Sequence, residues 1–509
     1  MSRVDRALPW ALGALAVAYR LASPLAIGFA DESYLLLGAR RILDGDVIYR
    51  DFFEVLTPLA FQFYAAVLAI GGRTLLAARV AAAIVDGIGC GLLVVLARRI
   101  AGPAEATLAA VAFIMLALPC FPHASPHWLS TTLWLATAAM MLSERLRESS
   151  RLRPALAGAL VGAAVCVQQQ RGVYLAAWAV LAMLVLAFDR PPGARLRHAI
   201  STVAWLTAGA LLIAAVDLGQ AVWASSLSQV VYSTFTFAFE NYGRVFATHP
   251  PWGEHIFQFE APTWLWLQRW GRLFLVIEAA ALLLAARRGF DRLERVRLCL
   301  LLLGVFAVLS ILYHPDYIKV GFVLPFLLIP GARTLHTIFG MLRLRGAGRV
   351  RLVRYAVVGV LVAATCVKGV RTLERARSAS PLRYATAFGT IAGNEANIRM
   401  FEAVRAAVER DPPGERWLYS YPDDAWLYLA TGARDPTRFS LLLPWYNSPA
   451  QVAEAIADVH RRKPGTLVVD VMYAHEDDGV RQALERDYDL LEEALVLRVY
   501  RRRRDTGPP

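Results

Sequence analysis

Lysine is almost missing from this chain and cysteine is scarce: three lysines and five cysteines stand among 509 residues. The cysteines, Cys90, Cys120, Cys166, Cys299 and Cys366, all fall in apolar stretches and none follows Cys366, so no disulfide framework is implied and they read as packing residues. Charge is also low, with 19% Asp, Glu, Lys and Arg against 57% hydrophobic residues and a mean hydropathy of +0.43. That balance excludes an ordinary soluble protein of this size. The last quarter of the chain has no Gly-rich phosphate loop and no metal-ligand spacing, which argues against a separate catalytic role there.

What is present is a succession of apolar runs, separated by polar or Pro/Gly-marked breaks, long enough to cross about 30 Å of hydrocarbon. About eleven spans are expected. They are Leu8 to Phe29, Thr74 to Leu96, Ala104 to Phe121, Leu129 to Leu142, Pro154 to Val167, Val173 to Phe188, Ile200 to Ala215, Trp264 to Ala286, Leu298 to Leu312, Val320 to Ile338 and Tyr355 to Val370. Their Ala/Leu/Val-rich character lacks the alternation of barrel strands, so they read as helices. The first run has no small-residue cleavage site and reads as an anchor rather than a signal peptide.

Arginine clusters in alternate loops: Arg98/Arg99, Arg145 to Arg153, Arg190 to Arg197, Arg287 to Arg297 and Arg343 to Arg354. Those loops, and the N-terminus, are expected in the cytoplasm. They account for most of the net charge of +13, so nucleic-acid binding is rejected. The stretch from Ala30 to Leu59, the Asp217 to Pro262 loop, the His123 to His127 turn and the tail after Arg371 then lie on the far side. In that tail, strand-like "RWLYSY", "TLVVDV" and "ALVLRVYRR" and helical "SPAQVAEAIADVHRR" give a small α/β module. Two domains are expected: residues 1–371 in the membrane and 372–509 outside the cytoplasm.

The stretch "ADESYLLLGARRILDGDVIYRDFFEVLTPL" holds six carboxylates: Asp31, Glu32, Asp44, Asp46, Asp51 and Glu54. From Ser33 to Asp44, Leu35, Leu36, Ala39, Ile42 and Leu43 share a helical face while Arg40 and Arg41 occupy another, as for a helix lying in the membrane interface. Asp31 and Glu32 stand at its start, where capping is the plainest reading.

This first loop, with "DESY", "ARRILDGDVIYRDFFEVLTPL", "FQFYAAVLAIGG" and "AARVAAAIVDGIGCGLLVVLARRIAG", resembles the C-type (GT-C) membrane glycosyltransferases. The likeness is nearest the aminoarabinose-transferase and protein-mannosyltransferase branch. It implies a mainly α, polytopic helical bundle with a small extracytoplasmic α/β domain, in the inner (plasma) membrane of a bacterial envelope. It also implies transfer of a hexose or pentose from a polyprenyl-phosphate carrier to a lipid, glycan or protein acceptor outside the cytoplasm. The first acid of the loop is the usual catalytic candidate, and it matches Asp31.

A hydroxyl acceptor needs a carboxylate within hydrogen-bond reach, which suits Asp31 as base. A lipid phosphate leaves once its charge is met. Basic candidates at the external mouth are Arg50, Arg171 in "CVQQQRGVY" and Lys319; several relatives carry Lys where this chain has Leu56 or Thr57, so that duty falls to Arg50 or Arg171. Arg171 has snorkelling as its simpler reading. His314 and Asp316 in "YHPDY" resemble the polar end of a late helix in relatives, with helix capping as the alternative. Asp51 could orient the acceptor or bind an ion, or simply pair with Arg50 or Arg40; Glu32 could cap the helix or help hold an ion. A divalent cation as cofactor is left open. His123 and His127 have i, i+4 spacing, but Pro126 argues against the helix that zinc would need. Tyr232, Phe235, Phe237, Phe239, Tyr242, Trp252, Trp264 and Trp266 suit an interfacial belt or a sugar platform.

Two other classes stay in view: a polytopic transporter, which would carry repeated halves and mid-membrane charges, and a non-catalytic envelope-assembly protein. No such repeat is visible, and the polar clusters gather at one face.

Overall fold

The computed structural model describes residues 3–26, 30–143, 151–241, 261–312, 317–341, 347–443 and 446–503. His314, Asp316, Tyr242 and Trp252 lie outside these residues, as do the side chains of Trp264 and Trp266.

Helices follow one another from the N-terminus: α1 (Arg3–Ala22), α2 (Ala30–Leu43), α3 (Leu59–Gly71), α4 (Leu75–Ala97), α5 (Pro103–Ala112), α6 (Pro126–Met141), α7 (Leu152–Val167), α8 (Gln169–Ala187), α9 (Pro192–Ala224), α10 (Ala261–Ala286), α11 (Arg292–Leu309), α12 (Tyr317–Met341) and α13 (Ala347–Ala379). Each of the apolar runs read as a span overlaps one of these helices. Among the described residues six are long and apolar enough to cross a membrane: α4, α5 with its extension to Cys120, α8, α9, α12 and α13. The remaining bundle helices are shorter, as α6 and α7 are at 16 residues each, or carry charges inside the apolar run, as α10 and α11 do with the buried Glu278–Arg297 pair. The chain is a multi-pass membrane protein.

Local chemistry sets several boundaries. Thr74 caps α4 by accepting from the Ala77 amide at 3.2 Å. Asp291 and Glu294 form a reciprocal capping box on α11. Beyond α5 the chain loosens into a π turn at Phe113–Ala117 and a 3₁₀ turn at Leu118–Cys120, where Pro119 offers no amide to continue the ladder. Glycine brings helices together: a Cβ on Gly158 or Gly162 of α7 would be driven into the carbonyls of Leu206 and Ala210 on α9.

The sequence suggests an external loop opening at Asp217. Instead α9 continues through Asp217 to Ala224. The polar residue does not end the helix, because its carboxylate is buried against neighbouring helices rather than turned to water.

At the other end α13 runs to Ala379 before the first strand. The C-terminal part has a hairpin, β1 (Leu382–Thr386) with β2 (Gly389–Gly393), and a sheet of β3 (Leu418–Tyr421), β4 (Thr466–Asp470), β5 (Tyr488–Ala494) and β6 (Leu497–Arg502). The sheet order is β3-β4-β6-β5, with β3 parallel to β4 and the other pairs antiparallel. Helices α14 (Glu395–Val408), α15 (Ala425–Thr431), α16 (Pro449–Arg462) and α17 (Gly479–Glu485) complete it.

The interface helix expected over Ser33 to Asp44 exists as α2, but its apolar face meets protein rather than lipid. Leu35, Leu36, Leu37 and Ala39 are buried in one core with Phe61 of α3 and Trp426 and Leu427 of α15. Arg40 donates to the carbonyls of Tyr428, Gly432 and Ala433 at 2.6, 3.2 and 2.8 Å, neutralising the C-terminal end of α15. So α2 joins the membrane bundle to the C-terminal part through both faces, and its start is held between them.

Candidate active site

At the N-terminal end of α2 the two acids go opposite ways. Asp31 is exposed. Glu32 is 1% exposed and is gripped by Arg79 of α4, with Nε to Oε1 at 2.5 Å and Nη2 to Oε2 at 2.6 Å. The Ala124 amide adds a bond to Oε1 at 2.6 Å, and His123 Nδ1 lies 3.2 Å from Oε2. Arg79 also donates to His123 Nδ1 and to the Pro122 carbonyl, each at 2.6 Å. Beside them Arg20 of α1 pairs with Asp86 of α4 at 2.5 Å and donates to the His123 carbonyl at 3.1 Å. This network ties α1, α2, α4 and the Pro122 to Ala124 turn together. Burial alone would raise the Glu32 carboxyl, but the Arg79 guanidinium outweighs it and holds Glu32 down to about 2. Glu32 stays ionised and positions the residue before it.

Near Asp31 stands the C-terminal part. Tyr34, three residues further along α2, donates its hydroxyl to Asp423. Asp31 lies close enough for its charge to act on Asp423. The Asp423 carboxyl is pushed up by burial, then pulled down by the Tyr34 bond and pushed up by Asp31 and Asp470. Neighbouring Asp424 is pushed well up, by burial first and then by Asp423 and Asp470. Two carboxyl groups from different parts of the chain, Asp31 and Asp423, are thus brought near each other, and the charge of one disfavours the charge of the other.

A second polar group lies at the start of α8. Arg171 is 1% exposed, donates to the His127 carbonyl at 2.9 Å and to Thr131 Oγ1 at 3.1 Å, and lies over the Trp134 ring. His127 stacks on Phe322 with centroids 4.5 Å apart, and Gln168 Nε2 is 3.3 Å from its Nε2. Lys319, half-buried at the start of α12, acts on the same imidazole together with Arg171. The structure therefore brings Arg171 and Lys319 together around His127. Arg50 and Asp51 are elsewhere, past the C-terminal end of α2, joined by bonds of 3.0 and 2.8 Å in a partly exposed pair. His123 and His127 serve different clusters, and among the described residues no three His, Cys, Asp or Glu side chains converge as a metal site.

The aromatic stretch divides as well. Tyr232 and Phe237 pack on Phe53, and Phe237 on Tyr446, while Phe235 and Phe239 stay exposed as belt residues would.

No protein-family model matches the chain, and no curated protein sequence does. Solved structures do match. ArnT from Cupriavidus metallidurans bound to undecaprenyl phosphate is 12% identical, with a TM-score of 0.63 over 100% of both chains. The same protein in the apo state is 15% identical, with a TM-score of 0.58 over 96% of each chain. The apo oligosaccharyltransferase of Archaeoglobus fulgidus is 13% identical, with a TM-score of 0.58 over 96% of this chain and 73% of its own. The fold is that of the GT-C membrane glycosyltransferases.

On this GT-C scaffold the sequence alone singles out Asp31, Glu32, Arg171 and Lys319, but not their partners. Arg79 and Asp86 carry a usable signal, since charged residues inside an apolar helix are costly unless paired. Arg20 carries the same signal in the first run. Asp423 has none, because "YPDDAW" reads as an ordinary turn until the fold sets it against Tyr34.

Proposed function

We propose that this protein is a membrane glycosyltransferase that moves a hexose or pentose from a polyprenyl-phosphate carrier to a lipid, glycan or protein acceptor. The observation that carries the reading is the exposed Asp31, fixed at a helix start by the buried Glu32–Arg79–His123 network. It is supported by a fold shared along the whole chain with a protein solved with undecaprenyl phosphate bound.

In this reaction the acceptor oxygen attacks the anomeric carbon and its proton passes to Asp31. The bond from that carbon to the carrier phosphate breaks, and its electron pair leaves on the phosphate. Lys319, with Arg171 and His127, meets that charge, while Glu32 and Arg79 position Asp31 without touching substrate. The membrane is the inner (plasma) membrane, with the N-terminus in the cytoplasm and the C-terminal domain outside it, supported by the arginine asymmetry.

Purified protein in liposomes, given radiolabelled sugar on polyprenyl phosphate and an envelope extract as acceptor source, tests the reaction. Label is expected to leave the carrier for a new product. Label retained on the carrier under every acceptor condition, with a folded protein, overturns the reading in favour of a transport or assembly role. A C-terminal fluorescent protein that fails after export is expected to stay dark.

A further inference from the structure

Along the C-terminal half of α2 and the turn after it, between that helix and the C-terminal domain, lies a polar cavity of about 500 Å³. The lining begins at Leu37, roughly 9 Å along α2 from the proposed catalytic acid, and reaches Asp44 at roughly 20 Å. Its volume is in the range of small-molecule sites, roughly 300 to 1,000 Å³, and far larger than a bare phosphate needs.

The charges lining the cavity do not cancel. Each carboxylate has an arginine: Asp46 and Asp435 share Arg41, Asp51 holds Arg50, Glu454 holds Arg438 at 3.2 Å, Asp458 holds Arg461, and Asp44 holds Arg73 from outside the lining at 2.5 Å. Two further lining arginines, Arg434 and Arg462, hold no carboxylate among the described residues. Both guanidiniums instead lie over one indole, Trp417, with Cζ 5.9 and 5.3 Å from the ring centroid. Cation–π attraction holds a guanidinium near the ring without consuming its N–H donors, which stay available for an oxyanion. Around them the paired carboxylates keep spare lone pairs beside arginine N–H groups, so the wall offers both acceptors and donors, as sugar hydroxyls require.

We infer that this cavity binds a sugar carrying an anionic group, phosphate or carboxylate, with the oxyanion on Arg434 and Arg462 and the hydroxyls on the paired wall. If the transfer reaction above holds, the cavity is where an anionic acceptor docks at a distance from Asp31. The binding itself needs no transfer.

Calorimetry on the full-length protein in nanodiscs at low salt tests it with glucose 6-phosphate, glucuronate, glucose and inorganic phosphate. Saturable binding of at least one anionic sugar is expected, about tenfold or more tighter than glucose or phosphate alone. Which of the two binds better identifies the anion. Arg434→Gln with Arg462→Gln should weaken that binding about tenfold or more, and Arg462→Gln alone should weaken it several-fold, both at an unchanged melting temperature because these side chains are exposed. Asp31→Asn should bind as the wild type does, so that loss of transfer and loss of this site are told apart. Absence of binding by both anionic sugars, equal binding of glucose or phosphate, or full binding by the arginine variants overturns the inference.

Discussion

Glu32 and Arg79 hold each other through two hydrogen bonds, with side chains 1% and 7% exposed, and the residue just before Glu32 is open to solvent. A buried ion pair contributes little net stability beside an apolar pair of equal shape, but removing one partner leaves an uncompensated charge. Its role here is geometric: it fixes the first turn of α2 against α4.

Glu32→Gln should therefore destabilise the protein by about 3 kcal/mol or more, because Arg79 loses its counter-charge. Transfer should fall with it. Since the folded Glu32 carboxyl is held near 2 and the unfolded one near 4.5, its contribution is fully present above about 4.5 and is lost as pH falls toward 2. Thermal unfolding of wild type and variant between pH 6 and pH 3 checks this: the gap in melting temperature should narrow on acidification.

Glu54 behaves oppositely. Burial pushes its carboxyl from 4.5 up to about 8, with Arg41 pulling the other way. Between those values the unfolded chain has lost a proton that the folded chain keeps, so Glu54 makes stability fall as pH rises through this window. Glu54→Gln should remove that slope. Melting temperatures at pH 5, 6.5 and 8 should diverge in favour of the variant, and parallel curves would contradict the assignment.

Much of this architecture is legible in the order of residues. Apolar run length places the helices, arginine asymmetry suggests their direction, and "DESY" after the first helix draws attention to Asp31. Partnership is what the residue order does not carry. The period of Leu35, Leu36 and Ala39 is that of any amphipathic helix, and nothing local says whether lipid or α15 covers it. Asp217 reads as a helix end because carboxylates usually seek water, yet it is 5% exposed inside α9. The pairing of Glu32 with Arg79 spans 47 residues, and that of Tyr34 with Asp423 spans 389. Such contacts depend on the packing of whole elements and leave no periodic trace.

Lys319 and Arg171 act on one imidazole, His127, at the proposed phosphate end of the site. Lys319→Ala should weaken binding of a polyprenyl-phosphate analogue by about tenfold or more, through loss of a charge-assisted hydrogen bond. Arg171→Lys keeps charge but loses the fork to His127 and Thr131, and should weaken the same binding less than Arg171→Ala. Fluorescence anisotropy with a labelled analogue measures all three. Unchanged binding in both alanine variants would move the phosphate contact to Arg50.

Asp31→Asn puts the central claim to its most direct test. The substitution keeps shape and hydrogen bonding at an exposed position, so expression and melting temperature should match the wild type, while the base is gone. Sugar transfer from labelled polyprenyl phosphate by the purified variant should fall by about 10² or more. Transfer at the wild-type rate would contradict the account, leaving Asp31 as a helix cap and Asp423 as the neighbouring carboxyl group to test in its place.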